Sequence, residues 1–421
     1  MAKIKEIAKS SSSRLAENVS ALTIIQISNY IAPLLVARHL ISVLGLELYG
    51  VLAFALGLGT LFMVVADVGF SIAGSENISR HHNDNIFISK YVSSVILIKA
   101  LFALFAALII LLYAINTVKY QEYFELFLWV ILSSFTQAFI PTWFFIGIGE
   151  ASQLAYISII GKVMYVVLIY VVILDQSDIL NVPILIGCSA LFTSCASWWM
   201  IRKKGVMFTY PTIKFIKNIF VKTLPYFLSR LGVTTYMNVG LIFLGLVANP
   251  ALVGAYAIAE QLYKVMQSAF TPVTQAIFPH MIREKDLIMF SKIALGVIGV
   301  ALICSVIGYF VSPVLVPLFF GEAALAALPI LNIFLIAIVV HIITVFLGFP
   351  LFAVLDRVDL ANMSISVGPI FYLVGLLIFY ELNLFDPIYL ALLMVISELA
   401  ILIFRVKVAS PLIINFFGNK V

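Results

Sequence analysis

Ile201-Arg202-Lys203-Lys204-Gly205, followed by Lys214, Lys217 and Lys222, places six cations within about twenty residues near the midpoint of a 421-residue chain. Long apolar runs flank this stretch on both sides. Lys/Arg-rich loops stay in the cytoplasm, so a basic cluster between apolar runs sets an orientation. It also divides the chain into an N-terminal half, 1–205, and a C-terminal half, 206–421.

Hydrophobic residues make up 63% of the chain and charged residues 11%, with mean hydropathy +1.15. Soluble domains are about half apolar and about a quarter charged. The class is therefore an all-α polytopic membrane protein. The net charge of +5 does not imply nucleic acid, because the cations gather in short loops. Cys188, Cys195 and Cys304 fall in apolar runs and read as small core residues, without metal or disulfide spacing. Met1 to Ala16 is Lys- and Ser-rich and lacks a cleavage-site pattern, so no secretory signal peptide is expected there.

About twenty apolar residues make one crossing. That rule predicts twelve spans, near 18–40, 48–74, 90–114, 123–148, 152–174, 180–201, 219–247, 251–280, 290–318, 325–353, 360–381 and 386–406. Loop charge supports the count. With a cytoplasmic N-terminus, the inner segments hold Lys3, Lys5, Lys9, Arg14, Arg80, Lys90, the six central cations, Arg283, Lys285, Lys292, Arg357, Arg405, Lys407 and Lys420. The outer loops hold only Arg38 and Lys119. This split is what the positive-inside rule expects, and removing any one span scrambles it. Both termini are expected inside.

Tyr49-Gly50-Val51-Leu52-Ala53-Phe54-Ala55, opening span 2, is similar to Val253-Gly254-Ala255-Tyr256-Ala257-Ile258-Ala259, opening span 8. Two six-span halves of equal topology would be related by a pseudo-two-fold axis along the membrane normal, with the substrate site between them.

A charge in the hydrocarbon core is costly unless it meets a partner or a wet cavity. The candidates are Asp67, Lys99, Lys162, Arg230, Glu260, Lys264 and Glu398. In span 1, Gln26, Asn29, Tyr30 and Pro33 share one helical face, which either lines a polar lumen or bonds neighbouring helices. The repeat offset matches Gln26 to Arg230. Arg230 either holds an anion, for which its planar fork suits phosphate, or snorkels to the surface. Glu260 and Lys264, four residues apart, can pair along span 8. Lys162, with Ser158 and Tyr165, reads as cavity lining. Lys99 is expected to snorkel inward. Asp67, Glu260 and Glu398 are candidates for ion coupling or for pairing with cations; for Glu398 pairing is favoured. His341 stands alone in span 10 and reads either as a hydrogen-bonded packing residue, which is favoured, or as a proton relay. Trp143, Trp198 and Trp199 fit an interfacial belt, and Trp143 is also a candidate for cavity lining. Pro225, Pro272, Pro279, Pro313, Pro317, Pro329 and Pro350 crowd spans 7 to 10 and free backbone carbonyls there, giving either movable or static bends.

The sequence has no P-loop, GxSxG, HExxH, DxD or paired-cysteine metal motif. No cofactor or metal is expected. Without a nucleotide site, the drive is an ion gradient, substrate consumption on the far side, or both.

Several stretches carry a resemblance: Leu44-Gly45 through Tyr49-Gly50, Asp67-Val68-Gly69-Phe70, Pro141-Thr142-Trp143-Phe144-Phe145-Ile146-Gly147, Pro225-Tyr226-Phe227-Leu228-Ser229-Arg230, Val253 to Glu260, and Phe278-Pro279. In order and placement the chain resembles bacterial polysaccharide flippases of the O-antigen (Wzx) type. Their superfamily also holds the multidrug and toxin extrusion (MATE) transporters. The family's Trp-Phe motif usually continues Gln-Gly and then an acid, whereas Ile146 stands at the Gln position here and Glu150 is displaced.

The resemblance implies a MATE-like pair of six-helix bundles around a cationic cavity. It implies an undecaprenyl-pyrophosphate-linked oligosaccharide, the O-antigen repeat unit, moved from the cytoplasmic to the periplasmic leaflet of the inner membrane. Membrane lipid, an O-antigen polymerase and a chain-length regulator are the implied partners, and nucleic acid is not one. Arg230, Lys162 and Lys264 would offset the head-group charge, with Gln26, Asn29, Tyr30 and Trp143 lining the site. A monomer is expected, because twelve spans can form a complete pathway alone. Three rivals remain: a cation-coupled multidrug exporter of the same fold, an O-antigen polymerase or ligase, and a non-transporting membrane scaffold, which would not need the polar face of span 1. The exporter would need an acidic, aromatic cavity. The enzyme would need a long external loop, and none is present.

Overall fold

A computed structural model describes residues 2–284, 287–355 and 357–418. The side chains of Lys3, Lys5, Lys9, Arg14, Ser229, Pro272, Phe278, Pro279, Arg283, Lys285 and Lys420 lie outside the described residues. No strand occurs among the described residues. The helices are α1 Ala2–Asp67, α2 Phe70–Arg80, α3 Asn85–Asn116, α4 Phe124–Ala138, α5 Thr142–Gly147, α6 Ala151–Val172, α7 Asn181–Lys203 and α8 Ile213–Val247. They continue as α9 Pro250–Glu284, α10 Leu287–Phe320, α11 Leu328–Phe346, α12 Phe349–Val354, α13 Val358–Ile365, α14 Val367–Glu381 and α15 Pro387–Gly418. Helices dominate because lipid offers no partner for a free backbone amide.

Among the described residues nine helical runs are long and apolar enough to cross a membrane, or ten if the bent pair Ile213–Gly232 and Tyr236–Val247 makes one span. The expected twelve is not reached on this criterion. One reason is that Thr23–Arg80, at 58 residues, counts once, although it has about twice the length of a single crossing. It is broken inside α1 at Gly45 (φ 77, ψ 168) and again after Asp67, where Val68 (φ 50) and Gly69 (φ 78) enter the left-handed region. Another is that α9 falls outside the nine: Glu260, Gln261, Lys264 and Gln267 lower its hydropathy, and part of it lies outside the described side chains.

The chain forms two compact units that do not follow its midpoint. The first takes residues 1–36 and 55–234; the second takes 37–54 and 235–421. Both α1 and α8 therefore contribute to both units.

In the first unit, α4 and α6 pack on α7, and α2 packs on α5. Its core gathers Val68, Phe70, Ile78, Tyr91, Trp143, Phe144 and Leu154. Phe102 on α3 meets Phe220 and Phe227 on α8 at 5.6 and 6.2 Å. In lipid such association rests on van der Waals packing rather than on escape from water. Leu97, Leu101, Leu104 and Leu108 lie exposed on α3, at a spacing that makes one lipid-facing stripe.

In the second unit, α11 is central and packs on α15, α10 and α9. Tyr263 stacks on Phe334 at 4.9 Å, and Tyr236 meets Tyr372 edge-on at 5.5 Å.

Several expectations are corrected. Cys188, Cys195 and Cys304 are free and exposed rather than core, because each sits on the outward face of its helix. Arg405 is not a loop cation: it is buried inside α15. Trp143 is buried in the first unit's apolar core, where Gly74 leaves room for its ring. Trp198 and Trp199 keep polar partners. Trp198 Nε1 donates to the Phe139 carbonyl at 2.9 Å, and Lys203 Nζ lies 3.6 Å from the centre of the Trp199 ring.

Candidate functional site

The break after Asp67 builds the first polar group. The α1 helix stops, Val68 and Gly69 turn the chain, and α2 starts at Phe70. A Cβ at position 69 would lie 2.6 Å from the Phe227 backbone nitrogen, so only glycine lets the turn approach α8 this closely. The turn sets the Asp67 carboxylate at the N-terminus of α2. There Oδ2 accepts from Ser71 N at 3.2 Å and Ser71 Oγ at 2.8 Å, and the positive end of the helix dipole favours an anion. Lys99 Nζ donates to Asp67 Oδ1 at 3.3 Å, and both side chains are nearly enclosed. Arg230 lies 3.6 Å from Oδ2 and is 38% exposed at its side chain; its guanidinium also donates to Ser71 Oγ. Tyr226, one turn earlier on α8, donates to Glu76 on α2 at 3.0 Å. One carboxylate thus faces two cations, and the more open one is Arg230.

Lys162 on α6 forms the second group. Its ammonium donates to Ser28 Oγ at 2.9 Å, to Asn29 Oδ1 and, at 3.5 Å, to the Ile25 carbonyl of α1. Among the described residues it has no carboxylate partner. Half-buried in a span, it is a cation held only by neutral oxygens.

The second unit carries the others. Lys264 on α9 pairs with Glu260 at 2.7 Å and donates to Asn238 Oδ1 on α8 at 3.1 Å. Tyr236, Tyr256, Tyr263, Phe334 and Tyr372 wall the same cleft. Glu398 on α15 is 2% exposed at its side chain and lies 2.9 Å from His341 Nδ1 on α11. Arg405, two turns along α15, donates to Ser364 Oγ at 2.8 Å and to the Thr344 carbonyl.

The structure brings Asp67 and Arg230 together, Lys162 with Asn29, and Glu260 with Lys264. Gln26 and Tyr30 sit half-buried on the same helix as Asn29. Trp143 stands apart from all of these groups. Lys99 does not snorkel: Asp67 holds it in the interior. His341 does not stand alone: it meets Glu398. Ser28, Ser71 and Asn238 escape the sequence reading, which takes Arg405 only as a loop cation. Only Ser71 had a local signal, four residues after a span carboxylate. Among the described residues no group of three or more His, Cys, Asp or Glu is placed to hold a metal.

A sequence profile of a family described as "Polysaccharide biosynthesis protein" matches residues 15–285. A protein of Shigella dysenteriae named "Putative O-antigen transporter" is 22% identical over 342 residues, 79% of this chain and 84% of that one. One of the same name from Escherichia coli K12 is 23% identical over 273 residues, 63% of this chain and 65% of that one. Among solved structures, the lipid II flippase MurJ in an inward closed conformation superposes with TM-score 0.73 at 12% identity, covering 93% of this chain and 87% of MurJ. An inward-facing multidrug resistance MATE transporter of the MOP superfamily gives 0.64 at 14% identity, covering 93% and 98%.

Proposed function

The chain belongs to the polysaccharide biosynthesis protein family, and from that premise we propose that it is a multi-pass membrane flippase rather than an enzyme. Its substrate is an undecaprenyl-pyrophosphate-linked oligosaccharide, the O-antigen repeat unit. It carries this unit from the cytoplasmic to the periplasmic leaflet of the inner membrane by alternating access, with both termini in the cytoplasm.

The observation that carries this reading is the charge in the spans of the first unit. Among the described residues, Lys99, Arg230 and Lys162 stand against Asp67 alone. Three cations against one carboxylate leave two positive charges in a medium where uncompensated charge is expensive. A pyrophosphate diester brings about two negative charges, and Arg230 offers it a planar donor fork while Lys162 offers a point charge. Lys99 is enclosed with Asp67 and fixes that carboxylate, which in turn aims Arg230. Asn29, Gln26 and Tyr30 supply hydroxyl-compatible partners for sugar, and Lys264 is a further cation in the second unit. A cation-coupled drug exporter would want the opposite excess, and this charge balance disfavours it.

The test complements a deletion strain with wild type, Arg230→Ala or Lys162→Ala at matched protein level and reads surface O-antigen. Each variant is expected to lose roughly tenfold or more, as when a charge-assisted hydrogen bond worth about 1.5–3 kcal/mol is removed. Full surface polymer from both variants would remove these cations from the site.

A further inference from the structure

Three carboxylates lie deep in the spans. Asp67 is matched by Lys99 and Arg230, and Glu260 by Lys264. Glu398 has a different partner. Its Oε1 faces His341 Nδ1 at 2.9 Å and accepts from Tyr236 Oη at 3.4 Å. Its Oε2 is fully enclosed and meets no donor among the described residues. The fixed cation closest along its own helix, Arg405, is held by Ser364 Oγ and the Thr344 carbonyl, and Gly348 packs against its guanidinium.

With Oε2 left without a donor, the charge on this carboxylate is poorly compensated, and a proton on Oε1 removes it. The group opposite is an imidazole, which can take a proton on one nitrogen and give one from the other. His341 is 23% exposed at its side chain, against 2% for Glu398, so the imidazole is the more accessible member of the pair.

We propose that His341 and Glu398 form a proton-binding site inside the second unit. In the unloaded pair, neutral His341 donates Nδ1–H to the Glu398 carboxylate, with net charge −1. One proton from water adds at the imidazole's other nitrogen and brings the pair to net charge 0. The Nδ1 proton then passes to Oε1, leaving a neutral imidazole and a neutral carboxyl. Release reverses these steps, so no co-reactant is needed.

The groups that face the pair come from every helix around it. Tyr236 on α8 bonds Glu398, and Tyr263 on α9 sets its ring edge-on to His341 at 6.5 Å. Glu260 and Lys264 flank Tyr263 on α9 and neutralise each other. Tyr372 on α14 packs on Tyr236, and Arg405 lies two turns along α15. Among the described residues these are tyrosines, a closed ion pair and an engaged arginine, which leaves the histidine as the proton's exchange partner. Use of this proton to drive transport rests on the flippase reading above, whereas the site itself is tested without any lipid substrate.

The test is an infrared pH titration of the full-length protein in lipid, following the carbonyl stretch of protonated carboxyls. Wild type should show a band that is lost as pH rises. Glu398→Gln should lack it, and His341→Gln should keep it with a midpoint moved by roughly one pH unit or more. Should Glu398→Gln fail to fold, the His341→Gln midpoint decides alone. Absence of a titrating band in wild type, its survival in Glu398→Gln, or an unmoved midpoint in His341→Gln would each overturn the proposal.

Discussion

Gly50 and Gly254 face each other across the contact between α1 and α9, and each is packed against the same feature of the other helix. A Cβ on Gly50 would strike the Pro250 carbonyl and lie 2.8 Å from the Gly254 nitrogen. A Cβ on Gly254 would strike the Leu46 carbonyl and lie 3.3 Å from the Gly50 nitrogen. Pro250 precedes Gly254 by one turn, just as Leu46 precedes Gly50. The contact therefore has local two-fold symmetry, made by the two similar stretches that open the second and eighth expected spans. Tyr49 Oη adds a bond to Gln261 at 3.4 Å.

Substituting either glycine with alanine forces two helix backbones apart. Gly50→Ala and Gly254→Ala should each lose about 1–3 kcal/mol or more, as overpacking does. Gly296→Ala and Gly299→Ala on α10, where a Cβ meets nothing within 4 Å, should be neutral or gain about 0.5–1 kcal/mol from helix propensity. Thermal unfolding of detergent-purified protein compares the four. Equal stability of all four would contradict the close contact.

Asp67→Asn leaves Lys99 enclosed without a carboxylate among the described residues. Breaking a buried pair from one side costs about 3–5 kcal/mol. Removing both partners, as in Asp67→Asn with Lys99→Met, should recover much of that loss, because no enclosed cation is then stranded and only the more open Arg230 loses a partner. A double-mutant cycle by chemical unfolding reads the coupling, and additive losses would show that the pair does not interact.

Trp143→Ala should destabilise by about 3–5 kcal/mol, as expected for emptying an aromatic core position. Trp143→Phe should keep both fold and surface O-antigen, because the indole is buried packing against Gly74 and Tyr91. Normal stability in Trp143→Ala would return the residue to a solvent-lined wall.

Much of this was legible from residue order. Apolar run length gives helices and a membrane, and the two similar Gly-containing helix starts suggest a repeat, although not that these starts touch each other. A span carboxylate such as Asp67 announces itself through its cost in lipid. Its partner does not: Lys99 lies 32 positions away, and periodicity says which face a side chain occupies but not what stands opposite. Arg405 looks like a loop cation because it follows the last apolar run, yet α15 continues past it and the Thr344 carbonyl and Ser364 hydroxyl take its donors. Trp143 misleads for the opposite reason. Tryptophan near a span end suits the interface, and only the missing side chain at Gly74 shows that the ring turns inward.

The leaflet that holds the lipid-linked oligosaccharide is the most direct measure of the central claim. Cells deleted for this gene, with and without complementation, are treated with a sugar-modifying reagent confined to the periplasm. Flipping predicts that deletion leaves intact repeat units unmodified on the cytoplasmic side and that complementation exposes them. Modified, unpolymerised units in the deletion strain would contradict it, since they would have crossed the membrane without this protein.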